Sequence, residues 1–257
     1  MSDRILIGTT LPQFTDDAGR FADGVRRAEE AGMDSLWVFD HLWPMSGGKE
    51  RPVFEAWTAL AWTAEQTSTT SVGTLVTRSS LRNPRLLAHM AATVADIAGG
   101  RLIVGIGSGD RESRAENEAF GLPYWAGDRR IEQLEDTVVL LREHLPEGAR
   151  LWIAGRSDDT LAVAARYGDA WNGWGGTPET FARDAATVAT YAEGRAIEPT
   201  WGGIVKTGEP EALMEKLSAF AGAGARHLVC TFSDPWRPGV YEELGARVKP
   251  RVRAPER

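Results

Sequence analysis

The chain is almost without cysteine, since Cys230 is the only one among its 257 residues. An internal disulfide is therefore excluded. The apolar run HLVCTF around Cys230 predicts a buried strand position, where a thiol contributes to packing rather than to catalysis.

Long hydrophobic runs are missing as well. No stretch approaches the roughly 18 to 20 apolar residues of a membrane-spanning helix, and the first residues, MSDRILIG, lack the apolar segment of a secretion signal. We therefore expect a cytoplasmic protein with no membrane partner.

Basic residues are too few to dominate the charge. The chain has 29 lysines and arginines against 36 acidic residues, which gives a net charge of -7. This balance provides no electrostatic footprint for nucleic acid, so nucleic acid is not expected as a partner.

Several catalytic signatures are also absent. No cluster of His, Cys, Asp or Glu has the spacing of metal ligands, so no bound metal is predicted. A Gly-x-Ser-x-Gly elbow and a Walker loop are missing too. These absences argue against zinc chemistry, serine hydrolysis and nucleotide triphosphatases.

What the chain does contain is a regular alternation of strand-length apolar segments with helical segments. Eight such units predict an α/β fold closed into a TIM (β/α)8 barrel, and a single domain over residues 1–257 matches the usual size of that fold. The predicted strands are 5–8, 35–39, 71–76, 102–106, 151–154, 170–173, 200–205 and 227–231. The predicted helices lie near 18–31, 54–66, 84–97, 129–144, 158–166, 178–192, 209–222 and 239–247. The longest irregular stretches, 40–53 and 107–128, follow strands, on the face where a barrel carries its active site.

Two side chains that can move protons end the second strand. Asp40 and His41 follow the apolar run 36–39, and a histidine that titrates near neutral pH can donate or accept a proton beside a carboxylate that positions it or a ligand. A loop carboxylate and an exposed histidine with no role would give the same pattern. The remaining histidines, at 89, 144 and 227, fit structural or exposed positions.

Three alternating glycines end the fourth strand, in the run RLIVGIGSGD from 101 to 110. They favour close approach of the backbone to a flat or phosphorylated ligand, because no β-carbon intervenes. As a dinucleotide fingerprint the run is weak, since the third glycine is misplaced and no helix opens directly behind it. Asp110 could add a carboxylate to the same mouth, or be a solvated loop acid.

Two groups of basic residues could meet anions. Arg78 and Arg82 follow the third strand, where surface solubility is the simpler explanation. Arg156 lies directly before a predicted helix, whose free N-terminal N–H groups suit a phosphate.

Tryptophan is abundant, with ten residues. Aromatic planes near strand ends can wall a pocket for a large flat ligand. The tryptophans in such positions are Trp43, Trp125, Trp171, Trp174, Trp201 and Trp236. Core packing explains Trp57 and Trp62 more simply.

A set of short motifs extends over nearly the whole chain, and their order and spacing are more specific than any one of them. These motifs are 11–13 (LPQ), 34–41 (DSLWVFDH), 55–58 (EAWT), 73–77 with 83–84, 99–109, 118–121 (EAFG), 151–172, 208–210 and 221–228. Together they resemble the bacterial luciferase-like monooxygenase superfamily, in particular its branch that uses the deazaflavin coenzyme F420.

The resemblance implies a TIM barrel with the cofactor at its carboxyl face. The cofactor ring would rest on a bulge in the third strand, which in relatives contains a non-proline cis peptide and here falls near Thr74, Leu75 and Val76. Asp40 matches the position that hydrogen-bonds the deazaflavin head, and His41 matches the neighbour proposed to assist proton or charge movement.

Further positions follow from the same resemblance. Ser108 and Ser113 match cofactor contacts, and the segment formed by Ala154, Gly155, Arg156 and Ser157 matches the part approached by the phosphate-bearing tail. Relatives form homodimers through helices beside strands two and three, where this chain has the apolar segment 56–62.

One departure bears on the substrate. Asp110 stands where the sugar-phosphate dehydrogenases of the family carry a catalytic glutamate, and basic ligands for a sugar phosphate are not apparent in the later loops. We therefore expect an open, apolar site lined by tryptophan.

The function predicted from the resemblance is hydride transfer between F420 and a small organic substrate, with His41, Asp40 or Asp110 managing the proton. Two alternatives stay open: a monooxygenase that uses reduced FMN and oxygen, with His41 as acid or base, and a flavin-binding relative without catalysis.

Overall fold

The computed structural model describes residues 4–44 and 48–253, so residues 45–47 of the predicted irregular stretch 40–53 lie outside the described residues. All strand pairings in this part are parallel, as the alternation predicts. The strands are Leu6–Thr10 (β1), Ser35–Val38 (β2), Ser71–Thr74 (β3), Thr77–Arg78 (β4), Leu102–Gly107 (β5), Arg150–Ala154 (β6), Ala170–Trp174 (β7), Glu198–Val205 (β8) and His227–Phe232 (β9).

These nine strands form an eight-stranded barrel, because β3 and β4 are two halves of the third barrel strand. The sheet runs β3-β2-β1-β9-β8-β7-β6-β5-β4, and pairing of β3 with β5 closes it. The TIM barrel predicted from the sequence is confirmed, and its assignment to one domain stays a prediction.

The third barrel strand contains one extra residue. Gly73 pairs with Ile103 and Thr77 with Ile106, so this strand advances by four residues while β5 advances by three. A strand with one surplus residue has a bulge. The predicted continuous strand 71–76 is therefore wrong at its end.

Helices surround the barrel. They are Ala18–Glu30 (α1), Ala56–Gln66 (α2), Pro84–Ile97 (α3), Ser113–Ala119 (α4), Asp128–His144 (α5), Asp158–Tyr167 (α6), Pro178–Tyr191 (α7), Pro210–Gly222 (α8) and Val240–Glu243 (α9). A π-helical turn, Leu244–Val248, and a 3₁₀ turn, Lys249–Arg251, follow α9, so the last predicted helix is only partly α-helical. The helix α4 lies inside the stretch 107–128, which was predicted to be irregular.

Local sequence explains how several helices begin and which face they bury. Asn83 accepts hydrogen bonds from the first N–H groups of α3, directly before Pro84. In α1, Phe21, Val25 and Ala28 follow helical spacing and pack on the barrel. No helix of the described residues is long and apolar enough to cross a membrane.

Aromatic rings fill the amino-terminal half of the barrel interior. The rings of Trp37 and Trp152 lie 4.6 Å apart, and His227 packs edge-on against Trp152. Gly73 leaves room for Trp37, since a β-carbon there would come within 2.7 Å of the indole. His227 contacts the Ser35 hydroxyl at 2.6 Å, and burial lowers the pKa of its ring to about 3, so the ring is neutral.

Burial was predicted for Cys230, Trp57 and Trp62, and the structure tests each prediction. Cys230 is buried in β9, as predicted, and burial raises the pKa of its thiol to about 12. Trp57 is buried, also as predicted. Trp62 is 39% exposed, so its assignment to the core is wrong.

Candidate active site

The carboxyl end of the barrel places Asp40 at the centre of a buried ion-pair network. Its carboxylate accepts hydrogen bonds from Arg82 at 2.5 and 3.1 Å and from the Thr77 hydroxyl. Arg82 also pairs with Glu55, which caps α2 through the N–H of Thr58. The side chains of Asp40 and Arg82 are 0% and 11% exposed.

Arg82 is therefore not a surface solubility residue. Burial alone would lower its pKa, but the charges of Asp40 and Glu55 raise it above the usual value, and the guanidinium stays ionised. The network ties the strand end at Asp40 to the segment after β4 and to the start of α2. Contact of Asp40 with a cofactor stays a prediction, because its carboxylate already has these protein partners.

His41, the next residue, is paired with a carboxylate that the sequence analysis did not single out. Its Nδ1 lies 3.0 Å from Oε2 of Glu116, and Arg78 Nη2 lies 2.9 Å from the same oxygen. The N–H groups of Leu42 and Trp43 donate to Oε1 of Glu116. His41 is 29% exposed, whereas Arg78 and Glu116 are buried.

Arg78 is a further correction to the sequence analysis, because its side chain is 5% exposed rather than on the surface. None of its three guanidinium nitrogens makes a hydrogen bond within the part of the chain that the structure describes, although Nη2 lies 2.9 Å from Glu116 as an ion pair. A buried guanidinium with unused donors beside a strand end is suited to an acceptor group from a ligand.

A sequence signal for Glu116 was present. Residues 113–116 read Ser-Arg-Ala-Glu, which has the S-x-x-E spacing of a helix start. That pattern would have indicated α4 and placed Glu116 in its first turn.

Asp110 lies three residues before Ser113, the first residue of α4. The Asp110 carboxylate accepts hydrogen bonds from the Ser113 N–H at 2.9 Å and from its hydroxyl at 2.8 Å. The two residues thus form a local cap, which explains their presence without a ligand. The Ser108 hydroxyl contacts the Gly109 carbonyl oxygen at 3.2 Å. The catalytic role of Asp110 and the cofactor contacts of both serines stay predictions.

The bulge in the third strand lies at Thr74, Leu75 and Val76, where the resemblance places it. The Leu75–Val76 peptide is cis, which confirms the implied non-proline cis bond. Thr74 donates from its hydroxyl to the Gly105 carbonyl oxygen at 2.8 Å. Leu75 is buried and Val76 half-buried.

The glycines of β5 have a different role from the one expected. A β-carbon on Gly105 would overlap the Thr74 carbonyl oxygen, and one on Gly107 would lie 3.1 Å from Val76. These glycines therefore make room for the protein's own bulge, and not directly for a ligand. Close packing of backbone against backbone needs the absence of a β-carbon in the same way.

The segment Ala154, Gly155, Arg156 and Ser157 lies between β6 and α6. Ser157 caps α6, and Arg156 donates from Nε to the buried Asp184 at 2.8 Å. The first turn of α6 also contains two aspartates, at 158 and 159. Because Asp184 compensates the charge of Arg156, the anion site expected here stays a prediction with competing carboxylates around it.

An apolar cavity of about 440 Å³ opens at the same end of the barrel. Its aromatic and aliphatic walls include Phe14, Phe39, Ile204, Phe232 and Trp236, and the charged residues Arg51 and Asp234 also line it. Trp174 packs edge-on against Phe39, with ring centroids 5.8 Å apart.

Two of the predicted wall tryptophans are instead buried under helices. Trp171 stacks on Phe181, and Trp201 stacks on Phe220 with centroids 4.3 Å apart. Their indole N–H groups donate to the carbonyl oxygens of Gly155 and Gly175. These hydrogen bonds fix the loops that follow β6 and β7. The assignment of both tryptophans to the pocket wall is wrong.

No group of three His, Cys, Asp or Glu side chains within residues 4–44 and 48–253 is placed to hold a metal ion. The carboxyl end of the barrel thus combines four features: ion pairs, a half-exposed histidine, a strand bulge and an apolar cavity.

Comparison with known protein families matches residues 4–151, more than half of the chain, to the family model described as "Luciferase-like monooxygenase". The chain belongs to the luciferase-like monooxygenase family. The resemblance stated from the sequence motifs is confirmed.

Relatives of this luciferase-like protein include enzymes named for F420. An F420-dependent glucose-6-phosphate dehydrogenase from Kineococcus radiotolerans is 37% identical over 128 residues, 49% of this chain and 36% of the relative. An F420-dependent hydroxymycolic acid dehydrogenase from Mycobacterium tuberculosis is 28% identical over 257 aligned residues, 90% of this chain and 66% of the relative. The luciferase-like chain thus spans about a third and about two thirds of these relatives.

A solved structure shares the whole fold of the luciferase-like chain. It is an F420-dependent secondary alcohol dehydrogenase in complex with an F420-acetone adduct, with a TM-score of 0.83, 17% identity and coverage of 97% of this chain and 99% of the other. At this identity the similarity establishes the fold alone.

Proposed function

We propose that the chain is an F420-dependent oxidoreductase that transfers hydride between the deazaflavin and a small, apolar organic substrate. The observation that carries the proposal is the bulge at Thr74–Val76, which lies beside the strand end that carries Asp40 and His41, since Thr74 pairs with Val38. The names of the two F420-dependent relatives support the choice of cofactor.

The residues present fit a flat ring with polar edges. Leu75 and Val76 offer an apolar surface at the bulge, and the buried Arg78 has unused donors close to the strand end. Asp40, Ser108 and Ser113 would hold the cofactor head, and the segment from Ala154 to Ser157 would approach its tail. When bound, F420 would supply a ring that accepts or donates hydride.

His41 has the role of moving the accompanying proton. Its ring is half-exposed, and its Nδ1 is taken by Glu116, so proton exchange with a substrate would occur through Nε2. Asp40 keeps the strand end in place through Arg82. Asp110, exposed in the loop between β5 and α4, is the alternative proton carrier.

The substrate would enter the apolar cavity. Its walls of Phe14, Phe39 and Phe232 suit an uncharged organic molecule, such as an alcohol or ketone with a hydrocarbon body. Burial of such a group against aromatic rings would exclude water from the reacting atoms.

Titration of the purified protein with F420 and with FMN, followed by cofactor fluorescence, tests the cofactor. We expect saturable binding of F420 and weaker binding of FMN. Binding of FMN alone would favour a reduced-flavin monooxygenase, and binding of neither would overturn the proposal. If F420 binds but no turnover is found with a panel of alcohols and ketones, a flavin-binding relative without catalysis becomes the better description.

We also propose a homodimer formed through α2 and α3. Trp62, Leu86 and Ile97 on these helices are exposed, and apolar side chains of this size are suited to an interface. Sedimentation of the wild type and of a Trp62→Glu variant would test this, and an unchanged dimer in the variant would exclude Trp62 from the interface. The cytoplasmic location stays a prediction, which cell fractionation would test.

A further inference from the structure

We propose that Glu116 is a positioning residue that holds His41 in one tautomer, with the proton on Nδ1 and Nε2 as the proton acceptor. Where turnover is concerned, this inference rests on the proposed function. The tautomer itself is a property of the free protein and can be measured without any cofactor.

The donors around Glu116 determine which nitrogen carries the proton. Oε1 accepts from the N–H groups of Leu42 and Trp43, and Oε2 faces His41 Nδ1 and Arg78 Nη2. An ionised carboxylate has no proton to donate. The contact of 3.0 Å with Nδ1 is therefore a hydrogen bond only if Nδ1 is the donor.

Glu116 is ionised despite its burial. Burial raises the pKa of the carboxyl group, but hydrogen bonds from His41 and the backbone and the charge of Arg78 outweigh it and lower the pKa below the ordinary value. This buried carboxylate has three hydrogen-bond donors around it and a guanidinium nitrogen at 2.9 Å, which offset its charge.

The other ring nitrogen of His41 is the one left for chemistry. Nε2 has no hydrogen-bond partner among the described residues, and the ring keeps 29% of its surface exposed. A carboxylate that binds one imidazole nitrogen both orients the ring and fixes the tautomer, as in catalytic triads. Glu116 thus makes Nε2 of the neutral ring a base.

Replacement of Glu116 by Gln has a specific consequence for the tautomer. If the amide oxygen keeps its hydrogen bonds with Leu42 and Trp43, the amide NH₂ must face His41 and Arg78. An NH₂ group cannot accept, so Nδ1 must become the acceptor and the proton must move to Nε2. The inverted amide would instead leave two backbone N–H groups without an acceptor, whereas the first orientation loses only the contact with Arg78 Nη2.

Two-dimensional NMR of protein labelled with ¹⁵N-histidine, at a pH where the ring is neutral, distinguishes the two tautomers. The chain has four histidines, and the signal of His41 is identified by its loss in His41→Ala. We expect the Nδ1–H tautomer in the wild type and the Nε2–H tautomer in Glu116→Gln. Glu118→Gln, an exposed change on the same helix, is the matched control and should leave the spectrum as in the wild type.

Two results would overturn the proposal: the Nε2–H tautomer in the wild type, or the Nδ1–H tautomer retained in Glu116→Gln. If Glu116→Gln does not fold, Glu116→Leu, which can neither donate nor accept, should give a mixture of tautomers.

Turnover provides a second test once a substrate is known. We expect kcat of Glu116→Gln to fall about 10²-fold or more with little change in the KM for F420, and no further loss when His41→Ala is added. Failure of F420 to bind would reject the proposed function and leave the NMR result standing, so the two proposals can fail separately.

Discussion

His41 and His227 occupy opposite ends of the same barrel, and they differ in burial and in the charge of their neighbours. His227 is buried at the amino-terminal end between Trp37 and Trp152, and burial lowers the pKa of its ring to about 3. His41 is half-exposed at the carboxyl end, beside an ionised carboxylate.

The comparison shows how one fold separates stability from chemistry. At the amino-terminal end, aromatic packing suppresses a charge that the fold cannot compensate. At the carboxyl end, each buried charge has an opposite charge as partner, as in the pairs of Asp40 with Arg82 and of Glu116 with Arg78. Charged groups are therefore kept where a ligand can meet them.

The largest expected effect comes from His41→Ala. With F420 and a substrate, kcat should fall about 10²- to 10⁴-fold, because the proposed proton carrier is removed, while the melting temperature should stay nearly unchanged. Steady-state kinetics and thermal unfolding of the same preparation check this. His144→Ala, exposed at the end of α5, is the control, and equal activity losses in both variants would show that His41 has no special role.

Asp40→Asn should have the next largest effect, on stability. The buried Arg82 keeps Glu55 as a charged partner in this variant. We therefore expect the free energy of unfolding to fall by about 3 kcal/mol, which is at the lower end of the range for a broken buried ion pair. Urea unfolding followed by fluorescence measures it. A loss under about 1 kcal/mol would show that the network is not needed for folding.

His227 should make stability depend on pH in a defined window. The neutral ring in the folded state has a pKa of about 3, against about 6.5 in the unfolded chain, so the unfolded state binds the proton first as pH falls. The stability that comes from the neutral ring is complete above about pH 6.5 and is lost toward pH 3, by at most about 1.4 kcal/mol per pH unit.

The measurement is the difference between wild type and His227→Gln in urea unfolding from pH 7 to pH 5. The variant should lose less stability over this interval, because Gln does not titrate. Parallel curves for the two proteins would mean that the ring is not held neutral at this end of the barrel.

Arg156→Ala should have the smallest effect on stability. The side chain is 34% exposed and pairs with Asp184 at the rim, so a loss below about 1 kcal/mol is expected. If this segment approaches the cofactor tail, the dissociation constant of F420 should rise while kcat stays unchanged. An unchanged dissociation constant would exclude Arg156 from the cofactor site.

The regular parts of the molecule could be predicted because their signals are local. Alternating apolar segments gave the eight barrel strands, and Asn83-Pro84 marked a helix start that the structure has at the same place. The cis bond at Leu75–Val76 was not readable from local chemistry; it came from the resemblance to a family.

The site was harder to predict because its contacts join distant segments. Glu116 lies 75 residues from His41, and Arg82 lies 42 residues from Asp40. Nothing in the sequence near Arg78 or Arg82 shows that carboxylates from other elements bury them. Trp171 and Trp201 lie in strands as predicted, but the side of the barrel wall that each faces depends on the packing of α7 and α8.

The bulge in the third strand also has a consequence for engineering. The backbone of Thr74 occupies the space that any side chain at Gly105 would need, so neither segment can be changed without the other. A designer who wished to transplant this mouth into another barrel would have to move residues 74–76 and 105–107 as one cassette, although they come from different strands. The unit of exchange is a pair of neighbouring backbones rather than a set of functional side chains.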